Sequence, residues 1–415
     1  MSSLRQSIWQ GGYDYWSALQ QVCRTIEMEN NLTSAVKITT RVERLGIVAS
    51  PVGPYQVEGV LNPAVYHDRD GHLIVMMRSV AHGNQSRLEM IRQLWADGKP
   101  VVDADGNEAP YERVGFALVP QAAYERRRRI DESGKSVTIG GEGCEDPRVT
   151  FIAELDRYMM CYTAFGLAGP RIALAWSQDG YKWHRLGLLD IPETFGLHPD
   201  DKDAAFFPEP VMSPSGEVSL ALYHRPMTNI PARDGMDVVQ STLAAAPTDR
   251  QCIRIAYIPL YAVRADFANI LKVTESELVF APLDAWGTFK CGAGTAPVKI
   301  TRGLLAGNLL EIFHGVDQFA SATRPSGYQG RYAGGVMLHD GDEPHRIKYV
   351  SPEPAIKPET RDELEGIVNN VVFPTGIVER ADLATHDDEH VYDVFYGMAD
   401  RLIGRFRLWV VVAAL

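Results

Sequence analysis

The segment GCEDPRV sets two carboxylates, Glu145 and Asp146, directly before a proline and beside Arg148. A carboxylic acid so placed can donate a proton to a leaving group, provided neighbouring acids or partial burial support its protonated form. The same Asp can equally accept backbone hydrogen bonds at a strand entry, and residue chemistry leaves both roles open. A second signal is a set of cations, Lys202, Arg225, Lys290 and His314, with Arg148 and Arg171 near them. Singly, each reads as a surface charge or an ion-pair partner. Together they would suit a phosphate or sugar phosphate, which accepts several charge-assisted hydrogen bonds worth roughly 1.5–3 kcal/mol each. Tyr162, Phe165, Tyr223, Phe313, Tyr332 and Tyr396 can stack on sugar faces, although strand aromatics more often fill a core. No phosphate-binding glycine loop, GxSxG elbow or metal-spaced histidine cluster occurs, and no metal site is expected.

These residues recur at matching places because the chain repeats. Thirty-six glycines and 25 prolines separate short apolar runs, the pattern of many strands and tight turns. Five copies of a strand–turn–strand unit align at residues 61–78, 145–163, 207–225, 295–315 and 373–397, and a third strand follows most of them. Five such units predict an all-β fold, a five-bladed β-propeller, with a β-sandwich or two smaller β domains as the alternative. In each hairpin the start of the first strand and the end of the second share one edge. Asn62 should therefore meet Arg78, Asp146 meet Thr163, and Glu209 meet His224 and Arg225. Lys290 should meet His314, and Thr375 meet Tyr396 and Asp400, all around one funnel. Residues 1–45 fall outside the repeat and read as a short, partly helical N-terminal extension, packed on the propeller or on a neighbouring subunit; residues 46–415 form the catalytic propeller. The arginine run 126–129 reads as an exposed loop.

Composition narrows the partners. The chain has 415 residues and a net charge of −12, which argues against a general nucleic-acid binder. Hydrophobic residues make up 45% of it, enough for a sizeable core. Five widely spaced cysteines without a CxxC pair indicate neither a disulfide framework nor a zinc ribbon, and fit a reducing compartment. Without a signal-peptide pattern or a long apolar span, the expectation is a cytoplasmic protein with no membrane partner.

The motifs GCEDPR, KDAAFFPE, YHRP, KCGAGTAPVK, FHGVD, VVFPTG and YGMAD, in that order, resemble glycoside hydrolase family 130, the β-mannoside phosphorylases, across residues 45–411. The resemblance implies a five-bladed propeller and inverting phosphorolysis: inorganic phosphate, a co-substrate rather than a cofactor, attacks the anomeric carbon of a β-mannosyl unit and yields α-mannose 1-phosphate. It makes Asp146 the general acid, relaying its proton through the mannosyl 3-hydroxyl. Lys202, Arg225, Lys290, His314 and Tyr332 would form the phosphate pocket. Asn62, Arg78, Glu145, Arg148, Arg171, Asp203 and Asp400 would hold the sugar. No cofactor is expected, and a homo-oligomer is. Mannosyl-glucose is the first substrate to test, because the GCEDPR form looks like that branch; TAPVK and the arginine run depart from the common pattern and leave the acceptor sugar open. Two alternatives stand beside this reading. One is an inverting β-mannosidase, which needs a second carboxylate (Glu145, Glu209 or Asp203) to activate water. The other is a noncatalytic sugar-binding propeller.

Overall fold

The computed structural model describes residues 36–96, 99–102, 111–233, 235–324 and 326–415. Their apolar runs pair as antiparallel strands, and helices are few and short, such as Val238–Ala244 and Leu260–Ala265. Five consecutive antiparallel groups follow one another along the chain. Their first strands are Gly59–His67, Glu142–Ile152, Asp201–Phe206, Lys290–Gly292 and Val372–Glu379. The first two groups are joined into one eight-stranded sheet by a short parallel pairing of Gln85 and Ser86 with Glu142 and Gly143.

The last group borrows its outer strand from the other end of the chain. Val36–Ala49 pairs antiparallel with Leu402–Ala414 along nearly its whole length. The domain boundary expected near residue 45 therefore falls inside a strand, and the expected helical segment before it lies outside the described residues.

Alternating side chains of each group bury against the next. Met76 and Leu88 of the first group meet Met160 and Ala175 of the second; Leu174 meets Phe206 and Leu222 of the third. Tyr223 and Ile255 pack with Phe313 and Met337 of the fourth, and Ile312 and Leu338 with Val394 and Leu408 of the fifth. Phe395 and Ile403 then return to Val60 and Val75 of the first. Each fully buried side chain of this kind contributes roughly 1.5–3 kcal/mol, and these apolar contacts link the groups in a cyclic order.

Three of those first strands carry the same irregularity. Register slips between Leu61 and Ala64, between Glu145 and Arg148, and between Lys202 and Ala205. The residue released at each bulge has a left-handed backbone: Asn62 at φ 48°, Asp146 at 47° and Asp203 at 59°. Asn and Asp are the side chains that tolerate this region best. Pro63 and Pro147, which follow two of them, lack the N–H a regular ladder would need, and a bulge accommodates that loss. The residue types that can do acid–base chemistry are thus also those the backbone demands at these points.

The third copy is displaced from its expected place. Its first strand begins earlier, at Asp201–Phe206 with Lys202 opposite Arg225, and the expected segment contributes only Val211–Met212, paired with Ser219 and Val218. Pro208 and Pro210 flank Glu209 and interrupt pairing there.

Candidate active site

The bulges turn their side chains into one buried cluster. Asn62 Nδ2 donates to Asp146 Oδ1 at 2.9 Å, and Arg78 Nη1 donates to the same oxygen at 3.1 Å. Arg78 Nη2 reaches Glu145 at 2.8 Å, while Lys202 Nζ lies 3.6 Å from the other Glu145 oxygen. Burial alone would raise the Asp146 carboxyl, but the Arg78, Lys202 and Arg148 charges and the Asn62 hydrogen bond outweigh it and hold the group below its ordinary value. The condition set for a proton donor, a supported protonated form, is therefore not met by the protein's own groups: cations surround the acid. Asp400 shows the opposite balance. Its burial and the nearby Asp146 and Glu145 carboxylates outweigh Arg78 and Lys202 and push it up to about 6.

Beside this acid half lies a cationic half built on Asp203. Arg225 Nε donates to Asp203 Oδ2 at 2.5 Å, Arg148 Nη2 lies 3.7 Å from Oδ1, and His314 Nε2 is 3.6 Å from Oδ2. Burial would raise Asp203, yet Arg225, His314 and Arg148 hold it well below the carboxylate range. His314 is fully buried and neither ring nitrogen has a hydrogen-bond partner. Burial, together with Arg225, Arg148 and Lys290, overrides Asp203 and lowers the ring to about 3, so it is neutral. Its ring stacks on Tyr332 and meets the edge of Phe373, and Lys290 Nζ sits 5.4 Å above the Tyr332 ring. Among the described residues no carboxylate pairs with Lys290. Arg148 joins the halves: its Nη1 donates to the Asp146 carbonyl at 3.1 Å, and Nε and Nη2 donate to the Gly294 and Ala293 carbonyls.

The expected set is thus largely brought together. Arg171 is held instead by Asp200 and by the Pro170 carbonyl. Glu209 stands apart with Lys299, on a separate cavity of about 240 Å³ further along the first strands, lined also by Val65, Thr150 and Thr375. His224 bridges Asp201 and Ser276. Among the aromatics, the hydroxyls of Tyr162, Tyr223 and Tyr396 go to Glu125, His339 and Glu363, leaving Tyr332 at the cluster.

Several contributors escaped sequence reasoning. Gln251 accepts from Arg225, Ser86 accepts from Arg78 Nε, and Phe373 lies under Arg148 and His314. Gly292, opposite His314 in register, is required by close approach: a Cβ there would lie 2.4 Å from Asp203 Oδ2 and 2.5 Å from His314 Cε1. The small residues of KCGAGT were the available signal.

Buried carboxylates set among cations, on the first strands of an all-β fold, are what a site for an anion and a polyhydroxylated substrate needs. Residues 265–411 match the family profile described as β-1,4-mannooligosaccharide phosphorylase. A β-1,2-mannobiose phosphorylase of Thermoanaerobacter sp. (strain X514) is 27% identical over 355 residues, covering 83% of this chain and 93% of its own. The fold is shared with the β-1,2-mannobiose phosphorylase of Listeria innocua in complex with β-1,2-mannobiose (TM-score 0.52, 16% identity, 88% and 96% covered). It is shared too with a structure described under the GH130 family of mannoside phosphorylases, which contains hydrolases that target β-1,2-mannosidic linkages (0.57, 20%, 89% and 93%). These matches bear out the resemblance to glycoside hydrolase family 130, whose named relatives are mannoside phosphorylases.

Proposed function

We propose that the protein is an inverting phosphorylase of β-mannosides, built as a five-bladed propeller and using inorganic phosphate as co-substrate without a cofactor. The observation that carries this reading is the fate of Glu145, Asp203 and Glu209, the carboxylates weighed as a hydrolytic base. A hydrolase needs a second, free carboxylate to activate water. Glu145 is engaged by Arg78 and Lys202, Asp203 by Arg225 and Arg148, and Glu209 lies elsewhere with Lys299. Phosphate needs no such base, because it is already an anion; it needs the cations. The cyclic order of the five apolar interfaces supports the propeller, and the buried free thiols of Cys144, Cys161, Cys252 and Cys291 suit a reducing cytoplasm.

In the proposed reaction a phosphate oxygen, held by Lys202, Arg225, Lys290 and His314, attacks the anomeric carbon as the glycosidic C–O bond breaks. Asp146 supplies the proton the leaving oxygen requires, through the 3-hydroxyl of the mannosyl unit, and becomes a carboxylate. The protonated phosphate monoester carries the balancing proton. The Asn62 Oδ1 atom, buried and without a partner, is placed to accept from a sugar hydroxyl.

Incubation with mannosyl-glucose, β-1,2-mannobiose and β-1,4-mannooligosaccharides, with and without phosphate, tests the reading. Mannose 1-phosphate is expected only when phosphate is present, with mannosyl-glucose the preferred substrate. Free mannose formed without phosphate would refute phosphorolysis, and no turnover on any of them would leave a binding protein.

A further inference from the structure

The strand that carries His314 also carries a carboxylate for which the reaction has no use. Glu311 is fully buried. Its Oε1 accepts the Gly294 N–H at 3.2 Å, while Oε2 makes no hydrogen bond and faces His339 Nε2 at 3.5 Å. His339, equally buried, has Nδ1 2.7 Å from the Pro344 carbonyl oxygen. That oxygen can only accept, so Nδ1 carries a proton. Nε2 lies 2.8 Å from the Tyr223 hydroxyl. Burial and the Glu311 carboxylate push the Tyr223 phenol well above its ordinary value, which keeps it a neutral donor.

A carboxylate sealed from water is costly unless it is paired and hydrogen-bonded, and an apolar side chain would fill this strand position at less cost. What Glu311 holds explains its presence. The Gly294 carbonyl accepts from Arg148 Nε at 3.0 Å and the Ala293 carbonyl from Nη2 at 3.2 Å. The same turn contains Gly292, which touches Asp203, His314 and Arg225. This side-chain acceptor, together with the exchange of hydrogen bonds between Thr295 and Ile312, holds the turn against which both halves of the site are set.

We infer that Glu311, packed against His339, is a positioning residue: through the Gly294 N–H it helps to fix the turn at residues 292–295, and through that turn it sets Arg148 between Asp146 and Asp203. The kinetic part of the test rests on the phosphorylase reading, and the structural part does not.

Full-length Glu311→Gln and Glu311→Met are compared with the parent by amide hydrogen exchange over residues 289–297 and by initial rates with phosphate varied. Gln keeps an acceptor for the Gly294 N–H, and both readouts are expected within about threefold of the parent, whereas Met fills the space without one. In Met the exchange is expected to quicken at least about tenfold and kcat/KM for phosphate to fall at least about tenfold, as loss of a locking contact and misplacement of site groups predict. A folded Met variant with parental exchange and parental phosphate dependence overturns the inference, and so does a Gln variant as impaired as Met. If Met does not fold, His339→Gln, which removes the ring packed against Glu311, is measured in its place: quickened exchange supports the inference and parental exchange overturns it. A parent that makes no mannose 1-phosphate refutes the phosphorylase reading, while the exchange measurement still decides the role of Glu311.

Discussion

Gly292→Ala adds one methyl group where the cationic half is densest. Gly292 does not have a left-handed backbone, so alanine is conformationally acceptable there and the effect is one of space. The new Cβ would stand 2.4 Å from Asp203 Oδ2, 2.5 Å from His314 Cε1 and 2.8 Å from Arg225 Nε. Ordinary contact begins near 3.4 Å, so these groups must retreat by about 1 Å, a distance that costs on the order of 10²-fold in rate when it displaces site residues. That factor corresponds to about 2.7 kcal/mol of lost transition-state stabilisation. Retreat is not free for the fold either: Asp203 and Arg225 are both buried and 2.5 Å apart, and overpacking of this kind costs about 1–3 kcal/mol of stability. The assay is initial-rate phosphorolysis with phosphate varied, alongside urea unfolding. The expected result is a fall of about 10²-fold in kcat/KM for phosphate. Gly330→Ala is the control, since a methyl there meets nothing nearer than 3.5 Å. A folded Gly292→Ala variant with the parent's phosphate dependence would refute the placement of His314 and Arg225 around the co-substrate.

Three further outcomes follow from the same geometry. Asp146→Asn preserves the left-handed backbone, which Asn tolerates, and should fold normally while losing roughly 10²–10⁴-fold in kcat, the range of a positioned acid; a near-normal rate removes Asp146 from the mechanism. Lys290→Ala removes the cation above Tyr332 that has no carboxylate partner among the described residues, so KM for phosphate should rise while KM for the mannoside changes little; unchanged phosphate saturation contradicts that role. Asp400→Asn should stabilise the fold at pH 8. A carboxyl raised from 3.8 to about 6 favours folding fully below the lower value and loses that contribution as pH rises through the upper one, so the parent bears a penalty at pH 8 that Asn does not. Discounted for its partial exposure, the gain is about 2 kcal/mol by urea unfolding and should disappear by about pH 4; a gain that persists at pH 4 shows that ionisation is not its cause.

The hairpin repeat was legible because turn residues and apolar runs alternate at matching places, and the pairings of Leu61 with Arg78 and of Glu145 with Thr163 are as that alignment requires. The third copy slipped because DAAF, the true strand, has no β-branched residue to mark it, whereas FPEPVM looks like the other copies. The pairing of Val36–Ala49 with Leu402–Ala414 joins segments at opposite ends of the chain, and nothing local in either one announces the other. In the site, side chains with charge were found by type, while the residues that hold them were not. Gly292 and Glu311 act through a space left empty and a backbone N–H accepted. Neither kind of contribution has a signature in residue type: a glycine reads as a turn, and a glutamate in an alternating strand reads as its solvent face.

The charge balance of the site connects these parts. Arg78, Arg148, Lys202, Arg225 and Lys290 face Glu145, Asp146, Asp203 and Asp400, with His314 neutral, so the cluster carries a formal charge of +1 in a chain of −12. Protonation of Asp400, below about pH 6, makes it +2. A phosphate dianion is therefore the charge that completes it. The same cations are what depress Asp146, since Arg78, Lys202 and Arg148 are the charges that overcome its burial. An anion set among them supplies a like charge close to Asp146 and offsets that field, which raises the carboxyl toward the protonated form. On the phosphorylase reading, the protein's own groups do not prepare the acid; the co-substrate prepares it. A site whose own groups kept Asp146 protonated would have to surrender cations that phosphate needs, so the depressed carboxyl is a consequence of building the phosphate pocket beside the acid.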